Sequence, residues 1–504
     1  MTNHYLEKIL TARVYDVADE TPLEMAARLS QRLDNHILMK REDLQQVFSF
    51  KLRGAYNKII NLSDEERQAG VITASAGNHA QGVALAGSSL GITAVIVMPE
   101  TTPEIKVNAV RGFGGQVVLH GDTYDEALTF ALGKAHEQGM TFVHPYDDPD
   151  VIAGQGTIGM EILRQHPDRI DAIFVPVGGG GLIAGIAAYV KFLRPDIRII
   201  AVEPEDTPTL ARAMEADRRI VLDEVGLFAD GVSVRQIGKE TFNVARELVD
   251  ESVLVSTDEM CAAIKDIFEE TRTMMEPAGA LAIAGIKKYV GKKSIRDQTL
   301  IAINSGANIN FDRLRHVTER AEVGERREAL LAVTIPERPG SFCAFCTAIG
   351  KRAITEFNYR YADDRDAQVF AGIRLGGGDG EKAAIIERLR DAGYPVTDLT
   401  DNEMAKVHLR YLVGGHASKA ENEVLYRFIF PERPAALHDF LIALGSRWNI
   451  SLFHYRNHGS AHGRILAGIQ APPEERDELR HSLEALGYQH WEETDNPVYR
   501  LFLA

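Results

Sequence analysis

The chain has 504 residues, of which 45% are hydrophobic and 25% are charged, a composition typical of a globular protein with two or three domains. Its formal net charge of -16 disfavours nucleic acid or an anionic membrane surface as the main partner, so we expect small-molecule partners. Only three cysteines, no signal-peptide pattern at the N-terminus and no apolar run of about 20 residues together predict a cytoplasmic protein without a disulfide framework or a membrane span.

The first candidate for chemistry is Lys51, in the sequence SFKLRGA at residues 49–55. Most lysines are solvated surface residues, which is the alternative interpretation here. Lys51, however, lies between Phe50 and Leu52, and Arg53 is the only other charged residue of this segment. Desolvation lowers the pKa of an amine, so we predict that Lys51 is a nucleophile and base, able to form a Schiff base with an aldehyde.

Between residues 70 and 305, short β-branched segments alternate with helix-length segments, which predicts an α/β domain with a largely parallel sheet. Ligands of such domains bind at the carboxyl ends of the strands, so motifs that follow the strands should converge. The predicted strands are residues 71–73, 93–97, 116–119, 172–175, 197–202 and 300–303.

The sequence SAGNH follows the first of these strands and precedes a helical segment. Its exposed amide groups and small side chains suit a substrate carboxylate, and the Asn78 side chain can bond an oxygen atom of a cofactor. The alternative is that Ser75 and Asn78 only cap the helix. The predicted substrate-binding residues are Ser75, Ala76, Gly77, Asn78 and His79.

Four consecutive glycines join the strand that begins at residue 172 to the helix that follows it. Glycine lets the backbone approach a phosphate closely, and the start of a helix adds a favourable partial positive charge. We therefore predict a phosphate site at Gly178, Gly179, Gly180, Gly181 and Leu182.

Ser305 follows the last predicted strand, at the same edge of the sheet. Its hydroxyl could donate to the pyridine nitrogen of a cofactor and leave that nitrogen neutral. A neutral pyridine nitrogen favours prompt β-elimination. The alternative is that Ser305 is an ordinary turn serine. An aldehyde-binding lysine, a phosphate loop and the Asn78–His79 turn, which would meet the ring and the substrate carboxylate, together predict an enzyme that uses pyridoxal phosphate.

A dinucleotide site is the competing enzymatic interpretation. Gly179, Gly181 and Ala184 imitate the GxGxxA fingerprint, and Glu203 ends the next strand, where a ribose-binding acid would lie. This interpretation gives Lys51 no role.

A second kind of domain follows a charged segment, residues 313–328, which predicts a linking helix with a solvated face. The sequence PERP at residues 336–339 recurs at 431–434, and NYR at 358–360 returns as HYR at 454–456. In each copy an alternating strand precedes PERP and a helix with one apolar face follows it. A duplicated module without a cluster of catalytic residue types suits sensing or assembly.

Cys343 and Cys346 form a CxxC sequence in the first copy, which could indicate a redox or zinc pair. Cys346, however, occupies an apolar helix position, and no second cysteine pair completes a zinc site. We therefore predict that these cysteines pack in the core.

These motifs resemble, in the same order, those of the fold-type II pyridoxal phosphate family, and within it the biosynthetic threonine dehydratases, or threonine ammonia-lyases. The sequences EPAGA at residues 276–280 and SGAN at 305–308 are also similar, and the match covers nearly the whole chain. The resemblance implies a pyridoxal phosphate-dependent catalytic domain with parallel twisted sheets at residues 1–324. It also implies a C-terminal α+β regulatory domain of two ACT-like subdomains, at residues 325–418 and 419–504.

The resemblance further implies a role for each matching residue. Lys51 would be the Schiff-base lysine and the base for the α-proton, with Phe50 against the cofactor ring. Asn78 would bond the phenolic oxygen, Ser305 the pyridine nitrogen, the glycine loop the phosphate, and the turn at residues 75–79 the substrate carboxylate. Glu276 would lie near the ring.

Two departures from the similar serine racemases narrow these expectations. Those enzymes carry a catalytic serine where this chain has Ala76, so we expect poor racemisation. Their cation site uses an acid near Glu203 and a second acid six positions later, where this chain has Thr209, so we predict no metal site.

The implied reaction is the deamination of L-threonine to 2-oxobutanoate and ammonia by β-elimination of water, the committed step toward isoleucine, with L-serine as a second substrate. The repeat implies inhibition by isoleucine, opposed by valine, and the family likeness suggests a homotetramer. A pure oligomerisation platform is the alternative function of the repeat. Predicted effector-lining residues, which could instead be core residues, are Leu437, Leu441, Leu444, Phe342 and Phe345.

Overall fold

The structure is a computed structural model that describes residues 2–336, 341–350, 352, 354–360, 366–411, 421–431, 440, 448–457 and 462–503. The chain divides into two compact units, Met1–Phe311 and Asp312–Ala504. The domain boundaries predicted after residues 324 and 418 stay predictions. In the part of the chain that is described, no helix is both long and apolar enough to cross a membrane.

The first unit alternates strands and helices along most of its length. Its strands are β1 (Leu23–Met25), β2 (His36–Arg41), β3 (Val71–Ala74), β4 (Ala94–Met98), β5 (Gln116–Leu119), β6 (Thr141–Phe142), β7 (Ala172–Pro176), β8 (Arg198–Pro204), β9 (Glu251–Val255) and β10 (Thr299–Asn304). Its helices are α1 (Thr2–Leu10), α2 (Ala27–Leu33), α3 (Lys51–Ile60), α4 (Asp64–Ala69), α5 (Asn78–Leu90), α6 (Glu104–Gly112), α7 (Tyr124–Gln138), α8 (Pro149–Gln165), α9 (Gly181–Leu193), α10 (Thr209–Glu215), α11 (Lys239–Leu248), α12 (Thr257–Thr271) and α13 (Pro277–Lys293).

Two sheets organise this unit. A six-stranded sheet has the order β1-β2-β10-β7-β8-β9 and is parallel except for β1, and a four-stranded parallel sheet has the order β5-β4-β3-β6. Every residue of β3, β4 and β7 is buried, as expected for parallel strands covered on both faces by helices. The α/β prediction is therefore confirmed.

All six strands predicted from sequence are present, as β3, β4, β5, β7, β8 and β10, but they divide between the two sheets. The sequence patterns did not predict β1, β2, β6 or β9. β6 has only two residues, and β2 ends in the charged pair Lys40 and Arg41, which are both buried. A short strand and a strand with buried charges both lack the apolar pattern on which the predictions rest.

The second unit contains the internal repeat. Its elements are α14 (Leu314–Gly324), β11 (Glu328–Pro336), α15 (Ser341–Ile349), β12 (Ile354–Arg360), β13 (Asp366–Arg374), α16 (Gly378–Asp391), β14 (Val396–Asp398), α17 (Glu403–Val407), β15 (Glu423–Pro431), β16 (Asn449–Asn457), β17 (His462–Gln470), α18 (Arg476–Leu486), β18 (Gln489–Glu492) and α19 (Pro497–Phe502). Two antiparallel four-stranded sheets have the orders β12-β13-β11-β14 and β16-β17-β15-β18. The equivalent strand order confirms the duplicated α+β module.

The prediction of a linking helix with a solvated face is only partly correct. Helix α14 forms where it was expected, but His316 and Arg320 on it are buried. The cost of burying Arg320 is offset by the hydrogen bond that its guanidinium donates to the Glu403 carboxylate at 2.5 Å. Charged residues therefore do not mark a solvated face when each has a partner across the fold.

Some predicted residues of the repeat lie outside the described part of the chain. These are Leu437, Leu441 and Leu444, together with the side chains of Phe342, Cys343 and Cys346. Phe345 is fully buried in a cluster with residues of β11, β13 and α16. Its burial supports a packing role, and its assignment to an effector site stays a prediction.

Candidate active site

The motifs singled out in the sequence meet in one cleft of the first unit. Helix α3 brings Lys51, helix α5 brings Asn78, and the end of β10 brings Ser305. The cleft is lined by Phe50, Lys51, Asn78, Tyr146, Pro176, Gly178, Gly179, Gly180, Gly181, Leu182, Gly231, Val232, Glu276, Ala278 and Ser305. All the residues predicted to bind a cofactor are in this set.

Lys51 begins helix α3 and directs its amine into the cleft. The Nζ atom donates a hydrogen bond to the Pro145 carbonyl at 2.9 Å and lies 5.3 Å from the centre of the Phe50 ring. Burial lowers the pKa of Lys51 from 10.5 to about 8, against an opposing effect of the Glu276 carboxylate. About a tenth of the amine is therefore neutral at pH 7, far more than for an ordinary lysine, as the apolar neighbours in the sequence indicated.

The glycine loop has no room for side chains. A Cβ atom on Gly179 would lie 2.1 Å from Cγ of Tyr146, and one on Gly178 would lie 2.8 Å from Cα of Val232. Gly180 has a φ of +91° and precedes the first residue of α9, in the left-handed conformation that favours glycine. Because backbone amides and a helix start face the cleft without side chains, the loop fits a phosphate group.

Asn78 is held between two other polar side chains. Its Nδ2 atom donates to Oε1 of Glu276 at 2.6 Å, and its Oδ1 atom accepts from Nδ2 of Asn308 at 2.6 Å. The helix-cap interpretation is wrong, because the N-cap residue of α5 is Gly77 and not Ser75 or Asn78. The Ser75 hydroxyl instead accepts from the amide of Gly77 at 3.3 Å.

Of the five predicted substrate-binding residues, only Asn78 lines the cleft directly. Ser75, Ala76 and Gly77 form the half-buried turn that leads to it. His79 is buried, with its Nε2 atom 2.9 Å from the Val143 carbonyl. Burial and, secondly, the nearby Lys51 amine lower the pKa of His79 to about 3, so this imidazole is neutral near pH 7.

Ser305 lies in the floor of the cleft and is buried, and its hydroxyl donates to the Ala278 carbonyl at 3.3 Å. The sequence did not point to Tyr146, Gly231, Val232 or Ala278 as cleft residues. Tyr146 and the carbonyl partner of Lys51 follow β6, whose two residues give no strand pattern. Gly231 and Val232 belong to a short 3-10 helix between longer elements, and no motif marks that segment.

Glu203 is not among the residues that line the cleft, where a ribose-binding acid would be expected. Its carboxylate accepts from the amides of Leu210 at 2.7 Å and Ala211 at 2.9 Å, and from the Thr209 hydroxyl at 3.2 Å. Burial raises the pKa of Glu203 to about 7. Glu203 thus caps helix α10, and the described residues contain no group of three or more His, Cys, Asp or Glu that could hold a metal ion.

Comparisons with known proteins agree with this geometry. Residues 14–306 match the family of pyridoxal-phosphate dependent enzymes, and residues 319–409 and 414–503 match the C-terminal regulatory domain of threonine dehydratase. L-threonine dehydratase biosynthetic IlvA of Burkholderia multivorans is 55% identical, with 100% of each chain covered. The protein of that name from Escherichia coli is 54% identical, with 99% of this chain and 97% of the relative covered.

Solved structures also match about two thirds of this chain. The processed form of threonine deaminase isoform 2 from Solanum lycopersicum is 53% identical, with a TM-score of 0.63 over 64% of this chain and 88% of that chain. Maize serine racemase is 33% identical, with a TM-score of 0.59 over 62% of this chain and 96% of that chain.

The chain therefore belongs to the pyridoxal-phosphate dependent enzymes and, within them, to the biosynthetic threonine dehydratases. It is a threonine ammonia-lyase, a carbon-nitrogen lyase that uses pyridoxal phosphate and carries a C-terminal regulatory domain. The interpretation of the glycine loop as a dinucleotide site is wrong.

Proposed function

We propose that this enzyme converts L-threonine into 2-oxobutanoate and ammonia as the first step of isoleucine biosynthesis. The observation that carries the proposal is the desolvated amine of Lys51, which shares one cleft with a glycine loop fit for a phosphate. The biosynthetic threonine dehydratases among its relatives support the substrate. Release of a 2-oxo acid from L-threonine by the purified, cofactor-loaded protein tests it, and the absence of turnover would contradict it.

Pyridoxal phosphate, when bound, stabilises negative charge at the α-carbon of an amino acid. We assign its covalent attachment to Lys51 and the contact with its ring to Phe50. Asn78 is assigned to its phenolic oxygen and Ser305 to its pyridine nitrogen. We assign binding of the phosphate to the backbone amides of five residues that precede or begin α9: Gly178, Gly179, Gly180, Gly181 and Leu182.

The substrate roles follow from the turn before α5. The amides of residues 75–79, with the Ser75 hydroxyl, are assigned to the substrate carboxylate. Lys51, with its pKa of about 8, is suited to take the α-proton on one face of the substrate. Ala76 offers no proton acceptor for the other face, which disfavours racemisation and leaves loss of the β-hydroxyl as the productive outcome.

The lowered pKa of Lys51 predicts how attachment of the cofactor depends on pH. Only the neutral amine reacts, so below its pKa of about 8 the rate should rise about tenfold per pH unit and then level off. The rate is measured with cofactor-free protein, from the absorbance of the lysine-linked cofactor after pyridoxal phosphate is added. A rate that keeps rising toward pH 10.5, the ordinary value for lysine, would contradict desolvation of this amine.

We further propose that the C-terminal repeat binds isoleucine, which inhibits, and valine, which opposes the inhibition. The match to a regulatory domain of threonine dehydratase supports an amino-acid effector. Isoleucine is expected to lower the rate of 2-oxo acid release, and added valine to restore it, as measured by titration of each into the threonine assay. Unchanged activity with unchanged assembly would remove the sensing role, and a change in assembly alone would favour an oligomerisation platform.

L-serine is proposed as a second substrate, because one methyl group in a pocket discriminates by only about 1–3 kcal/mol. The product would be pyruvate. A homotetramer and a cytoplasmic location stay predictions, and sedimentation of the purified protein tests the first of them.

A further inference from the structure

Helix α3, which begins at Lys51, is held by four charged side chains that are completely buried. Lys40 lies in β2, Glu42 in the turn that follows β2, Arg53 in α3 and Glu161 in α8, and each is 0% exposed. We refer to Lys40, Glu42, Arg53 and Glu161 as the buried charge cluster. It has two positive and two negative members and therefore no net charge.

Arg53 is the centre of this cluster. Its Nε and Nη2 atoms donate to the two carboxylate oxygens of Glu42, both at 2.8 Å. Its Nη1 and Nη2 atoms donate to the two oxygens of Glu161 at 2.5 and 3.0 Å, and Nη1 also donates to the Thr157 hydroxyl at 3.1 Å. Lys40 completes the cluster, with Nζ 2.6 Å from Glu161. The planar guanidinium of Arg53 thus binds two carboxylates through paired hydrogen bonds, a geometry that no other side chain provides.

A buried charge cluster is a poor way to gain stability. Removal of four charged groups from water is costly, and well-packed apolar side chains in the same volume are often equally or more stabilising. A guanidinium that makes two hydrogen bonds to each carboxylate instead fixes an orientation. Both bonds of a pair are lost when the guanidinium plane rotates relative to the carboxylate plane. The arrangement therefore points to positioning of α3.

The position of Arg53 relative to Lys51 fits this purpose. Residues two apart lie about 200° apart around a helix of 3.6 residues per turn, so Arg53 and Lys51 point to opposite sides of α3. The N-cap residue of α3 is Phe50, whose side chain makes no capping hydrogen bond. The hydrogen bonds of Arg53 on one side of α3 therefore fix the direction of the Lys51 side chain on the other side, which faces the cleft.

The backbone contact between α3 and α8 is equally close. A Cβ atom on Gly154 would lie 2.6 Å from the carbonyl oxygen of Arg53, and one on Gly54 would lie 2.7 Å from the carbonyl oxygen of Val151. The two helices thus touch through glycines, directly beside the ion pair between Arg53 and Glu161. The buried charge cluster adds the side-chain bonds of Arg53 to this backbone contact, and both oppose rotation of α3 about its axis.

We propose that Arg53 is a positioning residue: through Glu42 and Glu161 it fixes the rotation of α3 and so places the Lys51 amine in the cleft. This inference rests on the proposed role of Lys51 in cofactor attachment and proton removal. A displacement of about 1 Å at a reacting group can cost on the order of 100-fold in rate, so a small rotation of α3 is sufficient for a large effect.

The test uses the full-length, cofactor-loaded enzyme with Arg53→Lys and Arg53→Met. The kcat per bound cofactor is expected to fall by about 10-fold to 100-fold for L-threonine, more in Arg53→Met, while KM changes little. The absorbance maximum of the lysine-linked cofactor should shift, or the link should form more slowly when cofactor is added to cofactor-free protein, because the amine is displaced. Arg53→Lys keeps the charge but not the planar guanidinium, so a partial loss in that variant would identify orientation as the cause.

The matched control is Asp266→Asn, which neutralises another buried carboxylate that is not in contact with α3. In the wild type, Asp266 forms ion pairs with Arg32 at 2.6 Å and Lys287 at 2.5 Å. It should lower Tm but leave kcat and the absorbance spectrum unchanged. Thr157→Val is the mild variant if Arg53→Met does not fold. It removes one hydrogen bond to Arg53, and we expect about a twofold to fivefold loss of kcat.

Wild-type kcat per bound cofactor and a wild-type spectrum in both Arg53→Lys and Thr157→Val would overturn the inference, whatever the change in Tm. Lys51→Ala separates this outcome from failure of the proposed function. If Lys51→Ala abolishes the lysine-linked absorbance while the Arg53 variants keep wild-type kcat and a wild-type spectrum, only the positioning role fails. If Lys51→Ala keeps that absorbance, the proposed role of Lys51 fails.

Discussion

Replacement of Lys51 by alanine is expected to lower kcat for L-threonine by at least about 10,000-fold. The amine has two proposed tasks in the cleft, attachment of the cofactor and removal of the α-proton, and general base catalysis alone contributes roughly 100-fold to 10,000-fold. No other amine is among the residues that line the cleft in the described part of the chain. Single-turnover and steady-state release of 2-oxobutanoate measure the loss.

A matched lysine control is Lys292→Ala, an exposed residue near the end of α13. It should leave kcat unchanged. In Lys51→Ala, the absorbance of the lysine-linked cofactor should also disappear, whereas the glycine loop, the proposed phosphate site, is unaltered and should keep its affinity for the phosphate. Activity within about tenfold of wild type would show that a different residue removes the α-proton.

The parts of the site that follow strands were the parts that could be predicted from sequence. Asn78, the glycine loop and Ser305 each come directly after a strand whose apolar run is plain in the sequence, and parallel strands end at one edge of a sheet. Local sequence also indicated the desolvated amine, because Phe50 and Leu52 flank Lys51. These predictions needed only the order of elements and not their packing.

The rest of the site depends on contacts between distant segments. The carbonyl partner of Lys51 lies 94 positions away in sequence, and the Glu276 partner of Asn78 lies 198 positions away. No local pattern marks the Pro145 carbonyl, and Glu276 is indicated only by the resemblance of the EPAGA sequence to the family motif. The partners of Arg53 could not be predicted for the same reason. Its two carboxylate partners, Glu42 and Glu161, belong to other segments of the chain and meet it only in the folded state.

Gly179→Ala is expected to raise the Kd for pyridoxal phosphate by about 100-fold. The new Cβ atom would lie 2.1 Å from Cγ and 2.2 Å from Cδ1 of Tyr146, far inside van der Waals contact. Either the Tyr146 ring or the loop backbone must move, and overpacking of this kind costs about 1–3 kcal/mol. Because the loop amides are the proposed phosphate ligands, the strain should appear mainly as lost cofactor affinity.

Titration of cofactor-free protein with pyridoxal phosphate, followed by absorbance, measures this Kd. The matched glycine control is Gly133→Ala in α7, where a Cβ atom meets nothing within 4 Å, so its Kd should be unchanged and its stability slightly higher. If the ring contact causes the loss, Tyr146→Ala introduced beside Gly179→Ala should recover affinity, because the obstructing atoms are gone. An unchanged Kd in Gly179→Ala alone would contradict the assignment of this loop to the phosphate, since the clash would then lie away from the bound group.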